Sequence, residues 1–157
     1  MDGKENVNSG PLRSGTVEIL LVEDNPGDVR LTKEAFKECG HVFRLHVVDD
    51  GVKAMLFLRR QAPYAAAPTP HMVLLDLNLP KKDGKTVLAE IKKDKDLRRI
   101  PVIILTTSKA EEDILRTYDL HANCYLTKPV ELEKFITMIR SLEEFWFSFV
   151  HILNEKE

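Results

Sequence analysis

In Met72-Val73-Leu74-Leu75-Asp76, four apolar residues in succession end at a single carboxylate, and this pattern is the strongest indication of the fold. A short apolar run of this kind is typical of a strand that is buried on both faces, as in a parallel sheet covered by helices. We therefore expect Asp76 to lie at the carboxyl end of a central strand and to be at least partly buried.

Four further strands and five helices are predicted around this run. The other strands are expected at residues 17–22, 43–48, 101–105 and 124–126. A helical pattern follows each strand, with starts near Pro26, Gly51, Gly84, Glu111 and Glu131. A strand and a helix repeated five times predict an α/β fold with a doubly wound, five-stranded parallel sheet.

The first predicted helix has an apolar stripe that we expect to face the sheet. The stripe is formed by Val29, Leu31, Thr32, Ala35 and Phe36. The second predicted helix spans residues 51–61, with Met55 and Leu58 inward.

Polar side chains follow four of the five predicted strands. They are Glu23 and Asp24 after the first, Asp76 after the third, Thr106 after the fourth and Lys128 after the fifth. The carboxyl ends of parallel strands meet at one edge, where ligands bind in such sheets. Three carboxylates at one edge repel each other unless a cation joins them, and hard oxygen ligands suit Mg²⁺.

Phosphoryl transfer requires this combination of groups. A metal ion and an ammonium neutralise the phosphoryl oxygens, and a hydroxyl binds one of them. Asp76 is the predicted nucleophile. Taken singly, each residue has an ordinary explanation as a turn, a helix cap or a solvated side chain. Their joint placement, each at the end of a different strand, favours function.

The chain resembles the receiver domain of response regulators over residues 17–141. The matching residues are the acidic pair Glu23-Asp24, Asp76 in LLDLNLP, Thr106 in PVIILTTS and Lys128 in YLTKP. This resemblance implies a flavodoxin-like fold and a phosphoryl group accepted on Asp76. It also implies a cis peptide bond before Pro129.

The resemblance further implies a ligand set and a switch. Mg²⁺ would be held by Asp24, Asp76 and the main-chain carbonyl of Asn78, with Glu23 acting through water. Thr106 and Tyr125 would form the switch pair. Lys128 would bind the phosphoryl group.

Three stretches are similar to the small regulators paired with bacterial and cyanobacterial phytochromes. They are VEDNPGDVRLTKEAF, HANCYLTKPVELEKF and EEFWF. The resemblance implies a histidine kinase as partner, with a phytochrome as one option. Regulators whose kinases are not light sensors share the same sequence features.

Composition and the chain termini lead to further expectations. The net charge of −2 argues against nucleic acid or an anionic membrane surface as partner. The N-terminus lacks the apolar segment of a signal peptide, so we expect a cytoplasmic protein with Cys39 and Cys124 reduced and buried. Residues 1–16 are expected to be a disordered tail, and residues 17–142 a receiver domain.

Residues 143–157 are expected to be an aromatic extension of the last helix. No output domain fits into this segment, so the signal would pass by conformational change and partner binding. The aromatic residues fall between Phe145 and Phe149, and they could fold back as core or cover a partner subunit. We favour a homodimer formed through the last helix and these aromatic residues.

Two other functions would use part of the same set of residues. A phosphatase of the haloacid dehalogenase type normally has a second aspartate two residues after the nucleophile, where this chain has Asn78. A pseudo-receiver would not need the complete set of acids, Thr106 and Lys128. We therefore expect a phosphoacceptor that promotes its own phosphorylation and dephosphorylation and that has no output enzyme domain.

Overall fold

The computed structural model describes residues 16–37, 43–116, 122 and 124–141, with the backbone alone for residues 138–141. Strands and helices alternate along these ranges. The strands are β1 (Val17–Val22), β2 (Phe43–Val48), β3 (Met72–Asp76), β4 (Val102–Thr106) and β5 (Cys124–Thr127). The helices are α1 (Pro26–Lys37), α2 (Gly51–Leu58), α3 (Gly84–Lys93), α4 (Lys109–Arg116) and α5 (Leu132–Ser141).

The five strands form one parallel sheet in the order β2-β1-β3-β4-β5. This is the flavodoxin-like order, so the predicted fold is confirmed. Strand β3 occupies the centre of the sheet. The fourth strand begins one residue later than predicted, because Pro101 has no N–H to donate, although its carbonyl accepts a hydrogen bond of 2.9 Å from Val73 N.

Alternate residues of the strands pack into two separate cores. One core joins Leu20, Val73 and Ile104 to helices α2, α3 and α4. The other joins the opposite face of the sheet to α1 and α5. There the rings of Phe36, Phe43 and Phe135 lie 5.0–6.0 Å apart, in stacked and edge-on pairs that are favourable for aromatic side chains.

Some details differ from the sequence prediction. Leu31 is 49% exposed and does not join the stripe of α1, whereas Thr32 and Phe36 are buried. Helix α2 ends at Leu58, three residues earlier than predicted, and Arg60 then adopts a left-handed conformation with φ of 55°. The backbone leaves the helical conformation there, which ends the helix.

Residues 1–15 of the predicted tail, the aromatic extension and Cys39 lie outside the described residues. Thr16, which was assigned to the tail, is buried. Cys124 is a free, half-buried thiol. Within the described ranges, no helix has both the length and the apolar character needed to cross a bilayer.

A buried polar cluster lies at the amino end of β1, away from the predicted site. Glu18 is fully buried, with His46 Nε2 at 2.5 Å and Arg44 Nη1 at 3.5 Å from its carboxylate oxygens. Its backbone N–H donates to His71 Nδ1 at 2.8 Å. Burial lowers the pKa of His71, and the charge of Glu18 partly opposes this effect.

Candidate functional site

The carboxyl edge of the sheet brings the predicted residues together. Glu23 and Asp24 follow β1, and Asp76 ends β3. Thr106 ends β4, and Lys128 follows β5 directly. The edge therefore contains the carboxylates, the hydroxyl and the ammonium that the sequence predicted there.

The ammonium of Lys128 lies among three carboxylates. Its Nζ is 3.0 Å from Glu23 Oε1, 2.9 Å from Asp28 Oδ2 and 3.1 Å from Asp76 Oδ2. A lysine ammonium has three N–H donors, so each carboxylate can accept one of them. The side chain of Lys128 is only 12% exposed, which keeps these charged contacts largely shielded from water.

Lys128 is therefore held in its charged form. Burial alone lowers the pKa of Lys128, but its hydrogen bonds to Asp28 and Glu23 and the charge of Asp76 together raise that pKa above its ordinary value. The site thus keeps a fixed positive charge 3.1 Å from the predicted nucleophile.

Glu23, Asp24 and Asp76 also form a group that could hold a metal ion. One carboxylate oxygen from each lies within 4.8 Å of the others. Burial raises the pKa of Glu23 to about 7, an effect that its hydrogen bond to Lys128 opposes and the charge of Asp76 increases. Two buried acids and one exposed acid at this spacing carry more negative charge than Lys128 alone can balance, which is the chemistry that favours a divalent cation.

The backbone around Asp76 fixes its carboxylate. Asp76 Oδ1 accepts a hydrogen bond of 2.9 Å from the N–H of Asn78, which is itself exposed. The start of α3 packs closely against the same segment: a Cβ on Gly84 would lie 2.6 Å from the carbonyl oxygen of Asp76. Only glycine allows this approach. The ligand role of the Asn78 carbonyl stays a prediction.

The loop after β5 places Lys128 over this edge. Its N–H donates to the carbonyl of Thr106 at 2.7 Å, which ties the loop to the end of β4. The peptide bond between Lys128 and Pro129 is cis, as predicted. A second cis peptide bond, between Ala62 and Pro63, was not predicted.

The predicted switch residues lie on neighbouring strands. Thr106 is fully buried, and its Oγ1 is 3.4 Å from Thr127 Oγ1. Tyr125 pairs in register with Ile104 and is partly buried. The guanidinium of Arg116 lies over the Tyr125 ring, with Cζ 4.6 Å from the ring centroid.

Two residues at the site were not predicted. Asp28, in the first turn of α1, contacts Lys128, which lies 100 residues later in the chain. Arg116, at the end of α4, contacts Tyr125 and pairs with Glu112 at 2.8 Å. An acid in a first helical turn ordinarily signals only a favourable interaction with the helix dipole, so the sequence offered no specific sign of Asp28.

The comparisons with known proteins agree with this geometry. Residues 19–140 match the response regulator receiver domain. Over 132 residues the chain is 50% identical to "Response regulator Rcp1" of Synechocystis sp. (strain ATCC 27184 / PCC 6803 / Kazusa), which covers 84% of this chain and 90% of that protein.

Three solved structures are similar as well. The Mn²⁺-bound form of response regulator Rcp1 has a TM-score of 0.65 at 50% identity, covering 83% of this chain and 94% of that one. The phosphorylated cyanobacterial phytochrome response regulator RcpA has a TM-score of 0.68 at 50% identity, covering 85% of this chain and 95% of that one. The bacteriophytochrome response regulator AtBRR has a TM-score of 0.76 at 43% identity, covering 83% of this chain and 95% of that one.

Proposed function

The chain belongs to the response regulator receiver domain family, and we propose that it accepts a phosphoryl group from a histidine kinase on Asp76. The observation that carries the proposal is the contact of 3.1 Å between Lys128 Nζ and Asp76 Oδ2 at the end of the central strand. A buried carboxylate beside a fixed ammonium can act as a nucleophile toward a phosphoryl group whose oxygens the ammonium neutralises.

The proposed transfer forms one bond and breaks one. An oxygen of Asp76 attacks phosphorus, and the bond from phosphorus to the donor, a histidine nitrogen of the kinase, breaks with its electron pair leaving to that nitrogen. Lys128 then pairs with a phosphoryl oxygen. Attack of water on phosphorus later releases phosphate and restores the carboxylate. The chain thus acts as a phosphoacceptor that promotes its own phosphorylation and dephosphorylation.

We propose that Mg²⁺ is the metal of this site. Glu23, Asp24 and Asp76 offer carboxylate oxygens within 4.8 Å of one another. Asp24, Asp76 and the main-chain carbonyl of Asn78 would hold the ion directly, with Glu23 acting through water. Hard oxygen ligands in this number suit Mg²⁺, and the Mn²⁺-bound Rcp1 structure supports a divalent ion in a relative. When bound, the ion supplies positive charge that balances the phosphoryl oxygens.

The proposed signal is a movement of Thr106 and Tyr125. Phosphorylation adds about 1.5–2 negative charges and three acceptor oxygens at Asp76. Among the described residues, Thr106 Oγ1 makes a long contact of 3.4 Å to Thr127 Oγ1, so we expect it to turn to a phosphoryl oxygen. The space that it leaves would let Tyr125 turn inward. A difference of a few kcal/mol between the two arrangements is enough to shift their populations.

The proposed partners are a histidine kinase in the cytoplasm and a second copy of the chain. The names of the phytochrome regulators RcpA and AtBRR support a phytochrome-type kinase as one option. The homodimer rests on the sequence of residues 145–150, which contains four aromatic side chains. Aromatic residues bury about 150–250 Å² each, so a few from each subunit could cover an interface of standard size, about 1,600 Å².

Peptide mapping tests the proposed acceptor. The protein is incubated with acetyl phosphate and Mg²⁺, and the acyl phosphate is trapped and located by mass spectrometry. The modification is expected on the peptide that contains Asp76 and on no other. A modification found elsewhere, with Asp76 unmodified, would overturn the assignment.

A further inference from the structure

Asp28 contributes the shortest of the three contacts to the Lys128 ammonium, 2.9 Å to Asp28 Oδ2. We propose that Asp28 is a positioning residue for phosphoryl transfer, because it holds Lys128 Nζ in place beside Asp76. The inference rests on the proposed function of Asp76. It adds a residue on α1 that neither belongs to the three-carboxylate group nor accepts the phosphoryl group.

The backbone of Asp28 is held in place at the start of its own helix. Asn25 Oδ1 accepts a hydrogen bond of 3.0 Å from the N–H of Asp28, and Thr32 Oγ1 donates one of 2.8 Å to the carbonyl of Asp28. Asn25 is in turn tied to the site, since its N–H donates to Glu23 Oε2 at 3.1 Å. A carboxylate in the first turn also interacts favourably with the helix dipole. Asp28 therefore extends its carboxylate from a fixed backbone position toward the flexible side chain of Lys128.

Lys128 needs such a partner because its other partners change roles. Glu23 and Asp76 belong to the group that would hold the metal, and Asp76 becomes an acyl phosphate. When the metal is bound or Asp76 is phosphorylated, some of these oxygens have other partners and can no longer accept a hydrogen bond from the ammonium in the same way. Asp28 keeps its contact with Lys128 in each of these states. A lysine side chain is a flexible chain of four carbons, so a constant partner at its end keeps the ammonium close to the position needed for transfer.

Two other roles for Asp28 make different predictions. An ordinary ion pair at the protein surface would leave the transfer rate unchanged when it is removed. A carboxylate that competes with the phosphoryl group for Lys128 would slow the transfer, and its removal would make the transfer faster. Only the positioning role predicts a slower transfer that depends on Lys128.

The rate experiment uses the full chain with acetyl phosphate and Mg²⁺. For Asp28→Asn we expect the maximal rate of labelling to fall about tenfold, with little change in the donor concentration that gives half of that rate. Asp28→Glu, which restores a carboxylate, should recover much of the loss. Glu34→Gln is the matched control, because Glu34 is a carboxylate on the same helix that pairs with Arg30 at 3.4 Å.

A double-mutant comparison shows whether Asp28 acts through Lys128. In a Lys128→Met background, Asp28→Asn should have no further effect on the rate. An unchanged or faster rate for Asp28→Asn, in a protein whose wild type is labelled on Asp76, would overturn the inference and leave the proposed function intact. A wild type that is not labelled would overturn both.

A second measurement does not depend on phosphorylation. The NMR order parameter of the Lys128 ε-methylene group reports how firmly the ammonium is held. It should drop in Asp28→Asn and stay at the wild-type value in Glu34→Gln. Equal order parameters in the wild type and in Asp28→Asn would show that Asp28 does not hold Lys128, and would overturn the inference.

Discussion

Arg116 and Tyr125 form a cation–π pair, with the guanidinium carbon of Arg116 4.6 Å from the centroid of the Tyr125 ring. The pair joins the end of α4 to β5 and holds the ring of the proposed switch residue. If Tyr125 turns inward when Asp76 is phosphorylated, this contact must be given up. We therefore expect Arg116 to stabilise the unphosphorylated arrangement.

Replacing Arg116 by alanine should favour the phosphorylated arrangement. Cation–π pairs at exposed sites contribute about 0.5–1 kcal/mol, which corresponds to an affinity for a beryllofluoride phosphoryl mimic about two- to fivefold higher. Titration of the mimic in the presence of Mg²⁺ measures this change. Glu112 keeps a cationic partner in the variant, because Lys109 Nζ is 3.3 Å from its carboxylate.

The control for that variant is Arg30→Ala, which removes an arginine that is 81% exposed and lies on another helix. Its affinity for the mimic should match that of the wild type. A weaker affinity in Arg116→Ala than in the wild type would show that the guanidinium does not oppose the movement of Tyr125.

Replacing Lys128 by methionine should destabilise the metal-free protein strongly. The substitution leaves the buried carboxylates of Glu23 and Asp76 without their cation, and breaking a buried ion pair costs about 3–5 kcal/mol. Urea unfolding with a chelator measures the loss. With Mg²⁺ present the loss should be smaller, because a divalent cation balances the same carboxylates.

Lys53→Met serves as the comparison, since Lys53 pairs with the exposed Asp49 at 2.8 Å. Its unfolding free energy should be close to that of the wild type and insensitive to Mg²⁺. An equal loss in Lys128→Met with and without Mg²⁺ would contradict a metal site at these carboxylates.

His71 should make the protein less stable at acid pH. Neutral His71 accepts a hydrogen bond of 2.8 Å from Glu18 N, and burial lowers its pKa below the unfolded value of 6.5. The stability that the neutral ring contributes is present above pH 6.5 and is lost as the pH falls through the lower folded pKa. His71→Asn keeps an acceptor that does not titrate. Its unfolding free energy should fall less than that of the wild type over the same decrease in pH.

The unfolding free energies are measured with urea between pH 7.5 and pH 5. If the two proteins lose the same stability over this interval, His71 does not contribute to the acid dependence. His46, whose ring contacts the Glu18 carboxylate, is present in both proteins, so its own titration affects both alike.

Gly84→Ala should destabilise the protein although alanine favours helices. A Cβ at residue 84 would lie 2.4 Å from Leu77 Cα and 2.6 Å from the carbonyl oxygen of Asp76, so α3 would have to move away from the site. Overpacking of this kind costs about 1–3 kcal/mol. At Gly27 an added Cβ would meet only Asn25 Oδ1, at 3.2 Å, and Gly27→Ala should change the stability little. Thermal unfolding of both variants checks the difference, and equal melting temperatures would contradict it.

The sequence predicted the sheet and most of its polar edge for a physical reason. Apolar runs mark strands buried on both faces, and parallel strands bring the residues that follow them to one edge. Glu23, Asp76 and Lys128 could therefore be placed together from strand ends alone. In the structure, the Lys128 ammonium lies 3.0 Å from Glu23 Oε1 and 3.1 Å from Asp76 Oδ2.

Residues that act from a helix could not be found in this way. Asp28 is separated by 100 residues from Lys128, and no strand end marks it. Leu31 fits the apolar period of α1, yet it is 49% exposed. The period does not show how wide the covered face of a helix is, so this exposure could not be predicted from the sequence. Glu18 lies within an apolar strand, and its burial depends on His46 and Arg44 of the neighbouring strand, which only the register reveals.

Intact-mass measurement of the wild type and of Asp76→Asn shows whether Asp76 accepts a phosphoryl group. After incubation with acetyl phosphate and Mg²⁺, the wild type should gain about 80 Da, the mass of one phosphoryl group. Asp76→Asn should gain nothing, because the amide is not a nucleophile toward phosphorus. The same gain in Asp76→Asn, or no gain in the wild type, would show that Asp76 is not the phosphoacceptor.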